Sequence, residues 1–232
     1  TSSPYRENYF HSGPDMSQYS ETLYSDQFSE FLSAIKSQNY SQFKAILNAH
    51  REYKNRIDPE TKQPPIYTAA VIPNEELALQ MIKDLVAAGA DPGEKDPLRQ
   101  NVMSYLARDG KEVLFDYFVS MGVSPIEIDT YQQMPLFYAA REGRFSICKK
   151  ILALGADPNH LDLNGQTCLF YSAKSGHLNI CQLLVEYGCK FDLADKINKE
   201  TALVYVKKER HKDVIQYLQS LKSGNKIQRE KS

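Results

Sequence analysis

Apolar residues along the chain fall into paired short runs divided by single glycines. Between residues 165 and 188, Leu169 and Ala173 sit four apart and Gly176 follows; Ile180, Cys181, Leu183 and Leu184 come next, and Gly188 closes the stretch. Spacings of three and four residues place such side chains on one face of an α-helix. A glycine just past each run supplies the left-handed residue on which a helix can end. The second-run positions recur as Met81, Ile82, Leu85 and Val86; Leu114, Phe115, Phe118 and Val119; Ile147, Cys148, Ile151 and Leu152; and Val214, Ile215 and Leu218. Gly89, Gly122, Gly155 and Gly188 step by 33 residues, as do Gly110, Gly143 and Gly176, and Asp96, Asp129, Asp162 and Asp195. Three series in one register define a repeat of two short antiparallel helices. A pair of this size cannot bury its apolar face alone, so the units must stack into a solenoid.

Local signals fill in the unit. Asp162-Leu163-Asn164-Gly165 predicts a hairpin turn, with Asn-Gly offering positive φ. Thr167, Thr201 and Asn101 are expected to cap first helices, and Pro135 and Pro65 suit the first helical position. Asn39 stands where a glycine would close the first helix of the first unit and is expected in the left-handed conformation. Arg210 takes the closing glycine's place in the last unit, whose hairpin is one residue longer. About four extra residues near 71–80 are expected to lengthen the turn between the helices of the second unit.

GHLNICQLLVEYG (176–188) and LALGADPNHLD (152–162) resemble the ankyrin repeat family, and the resemblance extends over roughly 25–222. It implies an all-α solenoid of stacked antiparallel helix pairs joined by β-hairpin-like loops. Six units are expected, at about 25–58, 59–95, 96–128, 129–161, 162–194 and 195–222, the first and last being caps. Residues 1–24 and 223–232 read as flexible tails.

Composition narrows the function. At 42% hydrophobic and 25% charged, with net charge −1, the chain carries no global field toward nucleic acid or an anionic membrane. No apolar run reaches membrane-spanning length. The basic cluster 207–212 is interrupted by Glu209 and reads as a solvated cap rather than a nucleic-acid contact. The chain shows no basic-then-apolar leader and no initial Met, and is expected to be a segment of a larger intracellular protein, cytoplasmic or nuclear. Cys148, Cys168, Cys181 and Cys189 lack metal-ligand spacing and are expected to be buried, reduced thiols. No motif for nucleophilic catalysis, phosphate binding or metal binding occurs, so no catalytic, cofactor or metal residue is expected. His177 and His211 follow the interhelical turn, where the resemblance implies a structural role.

Function is therefore expected on a surface, and the resemblance points to the concave groove formed by first helices and hairpin tips. The family's phrase places at one position a histidine that ties neighbouring loops together. Here the equivalents are Tyr67, Ser104, Phe137, Phe170 and Val204. The next position, which the resemblance turns toward the groove, holds Thr68, Tyr105, Tyr138, Tyr171 and Tyr205. Aromatic rings and arginines are enriched at interface hot spots. The candidate partner-binding residues are thus Tyr105, Tyr138, Tyr171 and Tyr205; the helix-end residues Arg108, Asp109, Arg141, Glu142, Lys174 and Ser175; and the hairpin residues Gln133 and Gln166. The leading expectation is a monomeric module that binds a protein or peptide. The alternatives are a structural scaffold or self-association segment in which tyrosines fill inter-repeat space, and a histone-tail reader that cages methyl-lysine by cation–π attraction.

Overall fold

The computed structural model describes residues 27–229, with side chains as far as Ser223. Six helix pairs follow one another. They are α1 (27–36) and α2 (Tyr40–Ala49); α3 (Pro65–Val71) and α4 (Glu75–Ala87); α5 (Val102–Asp109) and α6 (Glu112–Ser120). Then come α7 (Pro135–Arg141) and α8 (Phe145–Ala153); α9 (Cys168–Lys174) and α10 (Leu178–Glu186); α11 (Ala202–Glu209) and α12 (Lys212–Arg229). A 3-10 turn at Arg51–Asn55 follows α2. The first helices α3, α5, α7, α9 and α11 pack in one row, and the second helices form another behind it. The apolar second-helix positions meet in one continuous core, with Phe115, Phe118, Met81 and Ile82 fully enclosed.

Left-handed residues stand at both kinds of bend. Gly110, Gly143 and Gly176 have φ of 78°, 74° and 79°. Their missing side chains make room for the next unit: a Cβ on Gly143 would lie 2.8 Å from His177 Cε1, and one on Gly176 2.7 Å from His211 Nδ1. Those side chains then reach back. Arg144 Nε donates to the Arg108 carbonyl at 3.0 Å, His177 Nε2 to that of Arg141 at 3.0 Å and His211 Nε2 to that of Lys174 at 3.0 Å. Each thus satisfies a carbonyl left orphaned at the end of the preceding first helix. The structural role expected of the two histidines is this inter-unit stitch.

Several local expectations are corrected. Gln38, not Asn39, adopts positive φ; Asn39 instead caps α2, accepting the Gln42 N–H at 3.2 Å. Of the expected caps, Asn101 accepts the Met103 N–H at 3.1 Å, but Thr167 and Thr201 make no side-chain cap bond. Thr167 is buried against Cys189, where its hydroxyl faces the thiol instead. The extra residues of the second unit do not open a long turn. They lengthen α4 to 13 residues, against nine in α6, α8 and α10, because Asn74 caps its start and the Glu75–Gln80 stretch favours helix. Likewise α12 continues to Arg229 through much of the stretch expected as a tail, despite Gly224 and Asn225. Residues 1–24 and 230–232 lie outside the described residues.

All four cysteines are free and buried. Burial pushes the Cys148 thiol up to about 12 and those of Cys181 and Cys189 up to about 11.

Candidate functional site

Each hairpin is built around its aspartate. In Asp129-Thr130-Tyr131-Gln132-Gln133, Asp129 Oδ1 accepts the backbone N–H of Tyr131 at 2.8 Å and of Gln133 at 2.9 Å. Gln132 takes positive φ, as do Arg99, Gly165 and Lys199 in their hairpins, so the turn accepts residues other than glycine. Asp96 and Asp162 hold their hairpins with the same pair of Oδ1 bonds. Neighbouring tips are then joined through backbone: Thr130 N–H donates to the Leu98 carbonyl at 2.9 Å, and Leu163 N–H to that of Tyr131 at 3.1 Å.

The second oxygen of each aspartate receives a tyrosine. Tyr105 donates to Asp96 Oδ2 at 2.6 Å, Tyr138 to Asp129 Oδ2, Tyr171 to Asp162 Oδ2 at 2.5 Å and Tyr205 to Asp195 Oδ2 at 2.5 Å. The glutamine of the preceding hairpin closes the triangle. Gln100 Nε2 donates to Asp129 Oδ2 at 2.9 Å and to the Tyr138 hydroxyl. Gln133 Nε2 donates to Asp162 Oδ2 at 2.9 Å and to the Tyr171 hydroxyl at 2.8 Å. Gln63 does the same for Asp96 and Tyr105. At the last junction Gln166 reaches Asp195 only at 3.5 Å, and Asn198 supplies the donor to Tyr205. Burial, and then the bond to Asp162, pushes the Tyr171 hydroxyl up to about 12; Tyr105 and Tyr138 are raised for the same reasons. The hydroxyls therefore stay neutral donors, and Tyr105, Tyr138 and Tyr171 are each bonded into their own unit and the one before, whereas the Tyr205 hydroxyl bonds within its own unit.

The rings remain half-buried. Three of them meet an aromatic residue of the preceding unit: Phe137 packs edge-on against Tyr171 at 5.8 Å, Phe170 against Tyr205 at 5.8 Å and Tyr67 against Tyr105 at 5.3 Å. Their outer faces carry cations. Arg108 lies 5.1 Å from the Tyr105 centroid, Lys208 lies 5.3 Å from that of Tyr205, and Arg141 lies between Tyr171 at 4.5 Å and Tyr138 at 5.6 Å. For Tyr105, Tyr138 and Tyr205 the cation stands three residues later, one turn further along the same helix face, whereas Tyr171 is covered by Arg141 of the preceding unit.

The candidate residues therefore divide. The four tyrosines, Arg108, Arg141 and Lys174 form one row along the first helices. Arg108 is engaged by Asp109 in a two-point pair, Nε–Oδ1 at 2.7 Å and Nη2–Oδ2 at 3.2 Å. Glu142, Lys174 and Ser175 are exposed at their helix ends. Gln133 and Gln166 are not at the exposed tips where the sequence suggested; their amides turn inward into the tyrosine–aspartate network, and Gln133 is 7% exposed. Sequence reasoning missed the aspartates as tyrosine partners, although Asp96, Asp129 and Asp162 each precede a tyrosine by the same nine residues. It also missed Lys208, and the start of the row. There Thr68 and Val71 occupy the places of tyrosine and cation, leaving a cavity of about 410 Å³ bounded also by Ile72, Pro73, Tyr105 and Arg108.

The family described as ankyrin repeats (3 copies) matches residues 66–162 and again 136–230, which together span most of the chain. A comparison with curated proteins returns no match. Among the described residues no helix is long and apolar enough to cross a membrane.

Proposed function

The chain belongs to the ankyrin repeat family, whose repeats are generally protein–protein interaction modules, and we propose that this one binds a protein or peptide across its row of first helices. The observation that carries the reading is the Arg141 side chain. It is held between two tyrosine rings, with Nη2 also donating to Gln133 Oε1 at 3.3 Å, and so presents a fixed guanidinium where interfaces most often place their anchors. The chain acts as a monomeric, non-catalytic, intracellular module. Its four buried free thiols suit a reducing compartment.

The scaffold alternative draws support from the same network, since the hydroxyls bind units together. They occupy only the inner edge of each ring, however, and leave the outer row free to act. The methyl-lysine alternative is disfavoured by charge: a ligand ammonium would have to displace Arg141 or Arg108 from the ring it covers. The test is a photo-crosslinking amino acid placed at Ser175 on the first-helix row, compared with one at exposed Gln182 on α10, in the full chain in cell extract. Partner adducts concentrated at Ser175 support the reading. Adducts equal at the two positions, or richer at Gln182, refute it.

A further inference from the structure

The row is not uniform, and its two ends differ in chemistry. At the tyrosine and cation positions the sequence reads Thr68/Val71, Tyr105/Arg108, Tyr138/Arg141, Tyr171/Lys174 and Tyr205/Lys208. The first pair leaves a largely apolar cavity, where Val71 is 43% exposed and Lys36, Gln63 and Arg108 also contribute to the wall. Asp58, which has no tyrosine to meet, accepts instead from the Thr61 hydroxyl at 3.0 Å. The second pair is electrically closed, Arg108 being tied to Asp109. Lys208 at the far end is paired with Glu200 at 2.6 Å. Between them, Arg141 and Lys174 form no ion pair among the described residues. An apolar notch thus lies two units from the first of two uncompensated cations set on neighbouring units.

We infer that the row binds an extended acidic peptide that seats one bulky apolar or aromatic side chain in the notch beside Thr68 and Val71 and places carboxylates on Arg141 and Lys174. This rests on the interaction reading above and gives the partner its chemistry. The spacing follows from geometry. Packed helices lie about 8–10 Å apart, and a polyproline-II chain rises ~3.1 Å per residue with three residues per turn, so side chains on one face recur about every 9 Å. Peptide and repeat therefore stay in step. The acidic residues fall roughly six and nine positions from the anchor, two and three units along the row. The cavity volume is within the range, about 300–1,000 Å³, that small-molecule pockets occupy and is ample for one aromatic side chain. Arg141 suits a carboxylate because its planar fork is already oriented by Tyr138, Tyr171 and Gln133.

The test uses the full chain and a random twelve-residue peptide library displayed on phage. Enriched peptides are expected to share an aromatic or large aliphatic residue with Asp or Glu about six and nine positions away. As synthetic peptides at low salt they should bind Arg141→Gln/Lys174→Gln at least tenfold more weakly, and the difference should shrink as salt rises. Thr68→Tyr, which puts in the notch the ring found in the other units, should weaken the same peptides while helical content by circular dichroism stays unchanged. Peptides that lose affinity on Thr68→Tyr but carry no acids and ignore Arg141→Gln/Lys174→Gln overturn the acidic partner and leave binding on the row standing. Peptides indifferent to all three substitutions sink both, and a library that yields no binder overturns this inference. Single-stranded oligouridine serves as a further probe; binding tighter than the best peptide, lost with the two cations, would assign the row to nucleic acid.

Discussion

Tyr138→Phe removes one oxygen atom and isolates what the hydroxyl contributes to the junction between the third and fourth units. Asp129 Oδ2 then keeps only Gln100 Nε2 at 2.9 Å, while its Oδ1 bonds within the hairpin are untouched. Asp129 is 5% exposed, so water cannot easily replace the lost donor. A hydrogen bond to a charged group contributes about 1.5–3 kcal/mol. The half-buried ring and the remaining amide donor argue for the lower part of that range, about 2 kcal/mol. In a solenoid this loss falls on one interface between neighbours. At ~2–4 °C per kcal/mol for a chain of this size, the midpoint of thermal unfolding should fall by about 4–8 °C. Urea denaturation followed by circular dichroism measures the loss, with Tyr131→Phe as control, since Tyr131 is 50% exposed at a hairpin tip. A loss below ~0.5 kcal/mol for Tyr138→Phe, inside the range of ordinary surface substitutions, or an equal loss for Tyr131→Phe, would refute the assignment of stability to the tyrosine–aspartate bond.

Two further outcomes follow from the same geometry. Gly143→Ala and Gly155→Ala both force alanine into positive φ, 74° and 94°, but only at Gly143 would the new Cβ meet a neighbour, His177. Both should lose about 1–2 kcal/mol to the left-handed backbone, and Gly143→Ala about 1 kcal/mol more for displacing the His177 bond to the Arg141 carbonyl; equal losses in urea titrations would contradict the stitch. Alkaline pH should open the array: Tyr171 is raised to about 12 and Tyr105 and Tyr138 are raised as well, by burial and then by their aspartates, whereas an unfolded tyrosine titrates near ~10. The unfolded chain then sheds protons that the folded one retains, so stability is full below pH ~10 and falls as pH climbs toward about 12. Exposed tyrosines ionise near ~10 in either state, so the last part of the phenolate absorbance, from the buried rings, should appear only as the helical signal is lost; the whole phenolate absorbance developing near pH ~10 with the helices intact would argue against the buried donors.

The architecture was legible because glycine records backbone conformation directly. A 33-residue glycine series survives any change in the side chains around it, and the second-helix core positions could be read from the same register. Positions that depend on competition between neighbours were less readable. Gln38 and Asn39 are both able to take positive φ; the structure gives it to Gln38 because Asn39 is worth more as the cap of α2. Asn74 decides in the same way that extra residues become helix rather than loop. The candidate site was half legible. Tyrosine and aspartate each appeared as a series, but a residue on a helix and one in a hairpin nine positions earlier meet only once the chain has turned between them. The place of Gln133 in the hairpin predicts an exposed tip, and nothing in the local sequence says that its amide points toward the next unit.

Stacking and recognition need not exclude one another at the tyrosines, because different atoms of one residue are available to each. The hydroxyl is consumed by Asp129 and Gln100, which fixes the ring; the fixed ring then holds Arg141 in place from the opposite face. Ordering a flexible side chain at an interface costs about 0.5–1.5 kcal/mol, and here that ordering is completed during folding. The two roles are therefore separable by mutation. Tyr138→Phe should lower stability while leaving ring and guanidinium to a partner, and Arg141→Gln should lower partner affinity with a smaller loss of stability, because across the junction the guanidinium contributes its contact with the Tyr171 ring, about 0.5–1 kcal/mol. If Arg141→Gln destabilised the array as much as Tyr138→Phe, the cation would belong to the stacking network, and the row would lose the fixed charge on which partner binding is argued.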